Sequence, residues 1–263
     1  MNRIEQKFKE LRQQKKKAFI AFITAGDPNL STTKRLALEF SQVGVDILEL
    51  GVPFSDPLAD GPTIQAASQR ALKNKVNLKD VLGLVKSLRQ KTQTPIALLT
   101  YYNIIFRFGI KDFVKEAKAS GVDGVIVPDL PVEEAGELIK AAKKKSLATI
   151  FLLAPTSDKQ RIKKISASSS GFIYYVSLTG TTGVRKSLPR ELIKQVRRIK
   201  RITSKPVCVG FGVSEPAQAR WIARVADGVI VGSAIIKRIE NNLGQSGLVP
   251  KVTKFVRGFR EAI

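Results

Sequence analysis

The chain has 263 residues, of which 43% are hydrophobic and 25% charged, so it can bury a large core and is not a disordered chain. Its net charge of +23 would attract polyanions unless the charge is spread over a solvated surface. It contains no histidine, which excludes histidine-based triads and histidine metal ligands and leaves acid–base chemistry to carboxylates.

In chain order, an amphipathic helix is predicted from Met1 to about Gln14, followed by eight short runs rich in β-branched residues with helical stretches between them. The runs are Ala18–Thr24, Asp46–Leu50, Pro95–Thr100, Gly124–Val127, Ala148–Leu153, Phe172–Val176, Pro206–Val209 and Gly228–Val231. Such alternation predicts a parallel sheet with right-handed crossovers, and eight strands indicate an α/β fold of the (β/α)8 TIM-barrel type. We expect one barrel domain over residues 1–263, with the extra N-terminal helix closing the N-terminal end of the barrel.

An open, doubly wound sheet is the alternative architecture. Its dinucleotide fingerprint of spaced glycines is absent, because the first strand leads into Thr24-Ala-Gly-Asp-Pro28. The single cysteine, Cys208, lies in an apolar run and permits no internal disulfide. No segment approaches the roughly 18 apolar residues that span a bilayer, so we expect a cytoplasmic protein, or a stromal one if it is encoded in a plastid.

Catalytic groups of a barrel enzyme lie at the C-terminal ends of its strands, and the second predicted strand places Glu49 there. Burial would raise the pKa of this carboxyl group towards neutrality and suit it to general acid–base catalysis. Asp60, in the loop that follows, can reach over the mouth of the barrel. The alternatives are an internal salt bridge for Glu49 and a helix-capping role for Asp60.

Glycine-rich segments follow the last three predicted strands: Thr179–Gly183, Gly210–Gly212 and Gly232-Ser233. Glycine lets backbone N–H groups approach an anion closely, and Gly232-Ser233 opens a short helix whose N-terminus favours negative charge. Barrel enzymes commonly hold a substrate phosphate at these loops, so the sequence predicts a small phosphorylated substrate.

The chain resembles the tryptophan synthase alpha subunit family along its whole length. The motifs that carry the resemblance are Phe22–Pro28, Glu49–Pro62, Val127–Pro131, Tyr174–Gly183, Gly210–Ser214 and Val231–Ala234. The resemblance implies a lyase of tryptophan biosynthesis that cleaves indole-3-glycerol phosphate to indole and glyceraldehyde 3-phosphate by a retro-aldol reaction, without a metal or organic cofactor. It also implies an α2β2 heterotetramer with a tryptophan synthase beta subunit.

By the same resemblance, Glu49 protonates the indole ring, Asp60 stabilises the charge at the ring N–H, and Tyr174 lies beside Glu49. Thr182 would orient Asp60. The indole would lie against Phe22, Leu99, Ile126 and Ile230, and the phosphate against Gly183, Gly212, Gly232 and Ser233. Thr181 departs from the family pattern, which usually has valine there, and the high positive charge departs from it as well.

Two other functions remain open from the sequence. A neighbouring phosphate-binding barrel, such as indole-glycerol-phosphate synthase or a phosphosugar isomerase, shares the glycine loops, but the synthase needs a lysine that we do not find at any strand end. A nucleic-acid-binding or scaffold protein would use the basic clusters. These clusters fall near or on helices along the whole chain without interleaved aromatic residues, so we expect a solvated surface and no specific nucleic acid.

The apolar residues of Pro53–Leu58 and Tyr101–Phe108 predict anchors for the beta subunit beside the catalytic mouth. The alternative is that Ile104, Ile105 and Phe106 pack under the following helix.

Overall fold

The computed structural model describes residues 2–176, 190–210 and 212–263, in which nine strand segments form one parallel sheet. The strands are β1 Ala18–Thr24, β2 Ile47–Gly51, β3 Ile96–Leu99, β4 Gly124–Ile126, β5 Ala148–Ile150, β6 Leu152–Leu153, β7 Ile173–Val176, β8 Val207–Gly210 and β9 Gly228–Val231. Their order in the sheet is β5-β4-β3-β2-β1-β9-β8-β7-β6. Strands β5 and β6 are one run of chain divided at Phe151, so the two ends of the sheet meet there. The barrel is thus closed by eight strands, with β5 and β6 counted as one.

Helices connect the strands and cover the outside of the barrel. Those in the described part of the chain are α1 Arg3–Gln13, α2 Leu30–Gln42, α3 Pro62–Lys73, α4 Leu78–Arg89, α5 Tyr102–Phe108, α6 Ile110–Ser120, α7 Gly136–Lys144, α8 Lys159–Ser168, α9 Arg190–Ile202, α10 Pro216–Ala223, α11 Ser233–Glu240 and α12 Leu248–Ala262. The predicted TIM barrel is therefore confirmed, as is the short helix after Gly232-Ser233.

The strands are buried on both faces, which is why their sequences are near-continuous apolar runs. In β1, Phe19 and Ile23 face the layer between sheet and helices, whereas Ile20 faces the barrel interior. In the parallel register Phe22 lies beside Glu49, and Glu49 beside Ala97. This alternation brings Phe22 and Glu49 to the upper part of the barrel interior.

The N-terminal helix closes the opposite end of the barrel, as predicted. Asn2 begins α1 with a capping box, and Ile4, Phe8 and Leu11 of the helix pack into the interior cluster. The rings of Phe8 and Phe172 lie 5.7 Å apart, and Arg3 pairs with Asp123 at 3.0 Å. One end of the barrel is thus filled by side chains, and the cavity that the described residues leave for a substrate lies at the C-terminal end.

The basic clusters lie on the outer surface. Lys143–Lys145 at the end of α7, Lys163-Lys164 in α8, and Arg197, Lys200 and Arg201 in α9 are exposed, whereas Leu192, Val196 and Ile199 of α9 are buried. This placement agrees with the solvated surface expected from the sequence. No helix in the described ranges is long and apolar enough to cross a membrane.

Candidate active site

A cavity of about 260 Å³ opens at the C-terminal end of the barrel. Its residues come from most of the strands and the loops that follow them, as expected for a barrel enzyme. They are Phe22, Glu49, Ala59, Asp60, Gly61, Ile64, Leu99, Pro128, Leu152, Tyr174, Gly212, Val213, Ser214, Ile230, Gly232, Ser233 and Ala234. Most of this lining is apolar, and two carboxyl groups converge on it.

Glu49 projects from β2 into the cavity with 1% of its surface exposed, and its Oε2 atom has no hydrogen-bond partner among the described residues. Burial, reinforced by the negative charge of Asp60, raises the pKa of Glu49 to about 8. No Lys or Arg in the described part of the chain pairs with it, so the salt-bridge alternative finds no support there. Glu49 is therefore a carboxylic acid near neutral pH, able to donate a proton.

Asp60 lies in the loop of residues 52–61, between β2 and α3. Burial raises the pKa of Asp60 to about 6, and a hydrogen bond from Tyr101 opposes the shift. Helix α3 has Gly61 as its N-cap and no side-chain cap, so Asp60 does not have the capping role considered above. Gln65 Nε2 instead donates to the Asp60 carbonyl oxygen at 2.8 Å and ties the loop to the helix.

Tyr174 enters the cavity from β7 and is buried. Burial and the neighbouring charges of Glu49 and Asp60 raise its pKa well above the ordinary value, so its hydroxyl stays protonated. A Cβ atom at position 210 would lie 2.6 Å from that hydroxyl, so Gly210 provides the space that the tyrosine ring needs. The resulting cluster contains one tyrosine and two carboxyl groups.

The other end of the cavity is built from backbone. Gly212 has a φ of 75°, a left-handed conformation that favours glycine, and Gly232 is the N-cap of α11. No side chain caps this helix, so its first N–H groups, at Ser233 and Ala234, lie at the cavity wall. An uncapped helix N-terminus attracts an anion such as a phosphate group.

Nine of the twelve residues singled out from the sequence line this one cavity: Phe22, Glu49, Asp60, Leu99, Tyr174, Gly212, Ile230, Gly232 and Ser233. Ile126 is buried in the barrel interior with Tyr174 and Ile230 but is not part of the cavity lining. Thr182 and Gly183, together with the rest of the Thr179–Gly183 segment, lie outside the described residues.

Other contributors were not identified from the sequence: Ile64, Pro128 and Leu152 in the cavity wall, and Tyr101, whose hydroxyl contacts the Asp60 loop. Pro128 and Tyr101 come within two residues of the ends of β4 and β3, and Leu152 lies at the end of a strand. The rule that barrel chemistry sits at strand ends would have found these three. Ile64 lies on a helix and carries no comparable signal.

Comparison with known proteins supports a specific family. The family model described as tryptophan synthase alpha chain matches residues 8–263. The tryptophan synthase alpha chain of Geotalea daltonii is 51% identical over all of this chain and 99% of its own length. Tryptophan synthase subunit alpha from Legionella pneumophila superposes with a TM-score of 0.93 at 37% identity, covering 100% of this chain and 98% of that one. A chain of the tryptophan synthase complex from Pyrococcus furiosus superposes with a TM-score of 0.84 at 40% identity, covering 93% of this chain and 98% of that one.

Proposed function

The chain belongs to the tryptophan synthase alpha chain family, lyases that cleave indole-3-glycerol phosphate, and we propose that Glu49 and Asp60 are the catalytic residues of that cleavage. The observation that carries the proposal is a pair of carboxyl groups in one cavity with their pKa values separated, at about 8 for Glu49 and about 6 for Asp60. Between these values one is an acid and the other a carboxylate, which is how one site holds a proton donor and an anion together.

The first step is protonation of the indole ring. Indole leaves poorly as a carbanion, so C3 must first become tetrahedral. The Glu49 carboxylic acid donates its proton to C3, and positive charge develops at the ring nitrogen. The Asp60 carboxylate accepts a hydrogen bond from the ring N–H and stabilises that charge in a buried, mostly apolar site. Asp60 must be ionised for this role, and Glu49 must be protonated.

The second step breaks the carbon–carbon bond. The Glu49 carboxylate, now unprotonated, removes the proton from the hydroxyl on the adjacent glycerol carbon. The carbonyl of glyceraldehyde 3-phosphate forms, the C3 bond breaks, and its electron pair returns to the ring as indole. Glu49 regains its proton and the enzyme is ready for another turnover. Phe22, Leu99 and Ile230 would contact the indole, and Gly212, Gly232 and Ser233 the phosphate.

The test of these assignments is indole release from indole-3-glycerol phosphate by the purified protein and by Glu49→Gln and Asp60→Asn variants. Each amide keeps the shape of its side chain and removes its proton chemistry, so each should lose nearly all activity while remaining folded. If Glu49→Gln kept more than about a tenth of the wild-type rate, a barrier change under about 1.4 kcal/mol, Glu49 would not be the general acid–base.

The surface beside the cavity fits a protein partner. Leu58, in the Asp60 loop, is 94% exposed, and Phe106, in α5, is 66% exposed. The same loop and helix also line a groove of about 610 Å³, with Phe54, Ile104 and Phe108 in its wall. Ile105 is fully buried and Ile104 is partly buried against the core, so the packing alternative holds for these two residues and does not hold for Phe106. We propose this surface as the docking site of a tryptophan synthase beta subunit in an α2β2 complex, located in the cytoplasm.

Docking would also hold the Asp60 loop, so the partner should raise the cleavage rate as well as bind. Sedimentation with the cognate beta subunit tests the first half of this proposal, and indole-3-glycerol phosphate cleavage with and without that subunit tests the second. Leu58→Asp and Phe106→Asp should each weaken co-sedimentation, whereas Lys111→Asp on the exposed side of α6 should not. Absence of co-sedimentation at tens of micromolar protein would contradict the docking site.

A further inference from the structure

Tyr101 joins the end of β3 to the loop that carries Asp60. It is the N-cap residue of α5, and only 2% of its surface is exposed. Its ring stacks on that of Phe54, with the ring centroids 5.1 Å apart and the planes 28° from parallel. Phe54 belongs to the loop of residues 52–61, so this stacking fixes the ring of Tyr101 against the first half of the loop.

The hydroxyl group of Tyr101 bonds to two consecutive residues of the second half of the loop. The Ala59 N–H donates to it at 3.1 Å, and its own proton is available to the neighbouring Asp60 carboxyl group, whose charged form it stabilises. A phenol can accept one hydrogen bond and donate another at the same time, so one orientation of the Tyr101 ring serves both residues. No side chain caps helix α3 at Gly61, so the Asp60 carboxyl group receives no orientation from the helix start.

We propose that Tyr101 is a positioning residue for Asp60, which aims the carboxylate at the indole N–H and favours its ionised form. A hydrogen bond donated to a carboxylate stabilises the charged state, whereas burial opposes it. The pKa of Tyr101 is itself raised, first by burial and then by the charge of Asp60, so the phenol remains a donor wherever the enzyme works. The inference rests on the proposed role of Asp60 as the carboxylate that stabilises the ring nitrogen.

Tyr101→Phe is the direct test because it keeps the stacked ring and removes only the hydroxyl. Tyr175→Phe is the matched control, since Tyr175 is a buried tyrosine in the layer between sheet and helices and is not part of the cavity lining. The pH dependence of kcat/KM should show its acidic limb displaced upward by about one pH unit in Tyr101→Phe and unchanged in Tyr175→Phe. Near pH 6 this displacement lowers kcat/KM about fivefold, and above pH 8 the loss should be smaller.

A second readout does not depend on turnover. Carbon-13 NMR of the carboxyl groups, with the Asp60 signal assigned by its absence in Asp60→Asn, gives the pKa of Asp60 in each protein. Phe54→Leu provides a second variant that leaves the hydroxyl in place but removes its stacking partner, and it should move the same pKa in the same direction by less.

An Asp60 pKa that is the same in wild type, Tyr101→Phe and Phe54→Leu would overturn the proposal, as would equal displacements in Tyr101→Phe and Tyr175→Phe. If the wild-type protein released no indole, the proposed function would fail, and the NMR titration would still decide whether Tyr101 governs the ionisation of Asp60.

Discussion

Glu49 is buried without a hydrogen-bond partner for one of its oxygens, so its ionised form opposes folding. Its pKa is raised from 4.5 to about 8. Between pH 4.5 and about pH 8, therefore, Glu49 is protonated in the folded protein and ionised in the unfolded chain. The stability advantage of the protonated acid is complete below about 4.5 and is lost as the pH rises to about 8. A group that is useful for catalysis thus weakens the fold in alkali.

We therefore predict that Glu49→Gln is more stable than wild type near pH 9. Near pH 5 its stability should exceed that of wild type by less, or not at all. The amide cannot ionise, so its melting temperature should follow pH less steeply between these values. Thermal unfolding of both proteins across this range measures the difference, with Glu134→Gln, an exposed glutamate in the Pro131–Ala135 turn, as the control. A constant offset between Glu49→Gln and wild type at every pH would contradict the prediction.

At the scale of single residues, the sequence was sufficient for Glu49 because a carboxylate in an apolar strand is a local signal. It was insufficient for Tyr101. Only the folded chain shows that residue 101 reaches the backbone of residue 59, because the sequence does not record which loop lies over which strand end. The residues expected to contact the indole were incomplete for the same reason. Ile64 reaches the cavity only because of the direction in which α3 runs.

At the scale of elements, a repeated contact joins pairs of strands at the N-terminal end of the barrel. A side chain just before every second barrel strand accepts a hydrogen bond from a backbone N–H at the start of the preceding strand. The pairs are Phe19 N to Asp46 at 2.8 Å, Ile96 N to Asp123 at 2.9 Å, Thr149 N to Ser170 at 2.9 Å, and Val207 N to Asp227 at 3.0 Å. Three acceptors are aspartates with cationic partners, and the fourth is a serine.

We predict that Asp123→Ala destabilises the fold far more than Ser170→Ala does. Asp123 is 1% exposed in its side chain and also pairs with Arg3 at 3.0 Å and Arg89 at 2.7 Å, so its removal leaves the buried Arg89 without its carboxylate and removes one contact of α1. Breaking a buried pair costs about 3–5 kcal/mol. Ser170→Ala removes only neutral hydrogen bonds to Thr149, one at 2.9 Å and one at 3.5 Å, a loss of about 1 kcal/mol. Urea unfolding measures both variants, and equal losses would show that the ion pairs contribute nothing.

The strand runs were predictable because a sheet buried on both faces requires apolar residues at nearly every position. Ala18–Thr24 and Gly228–Val231 have the same bounds in the structure as in the sequence prediction. The division of Ala148–Leu153 into β5 and β6 was not predictable, because β5 pairs with β4 and β6 with β7, and hydrophobicity does not record which neighbour a residue bonds.

At the scale of the whole molecule, the net charge of +23 remains unexplained by the proposed reaction. Exposed Lys and Arg side chains on neighbouring helices repel one another, and the repulsion is greatest in the compact state. We predict that raising NaCl from about 0.05 to about 0.5 M increases the melting temperature, because the Debye length falls below the spacing of many surface charges. A melting temperature that falls with salt would show that attractive ion pairs outweigh the repulsion.

The catalytic roles of Glu49 and Asp60 can be tested by the pH dependence of kcat/KM for indole-3-glycerol phosphate, because this profile reports the ionisation of groups in the free enzyme. The two carboxyl groups predict a bell-shaped profile that rises through about pH 6, as Asp60 ionises, and falls through about pH 8, as Glu49 loses its proton. The residual activity of Asp60→Asn should lack the acidic limb. Its disappearance would show that this limb reports Asp60 and not the ionisation of the substrate phosphate. A wild-type rate that stays constant from about pH 7 to about pH 9.5 would contradict the assignment of Glu49 as the proton donor.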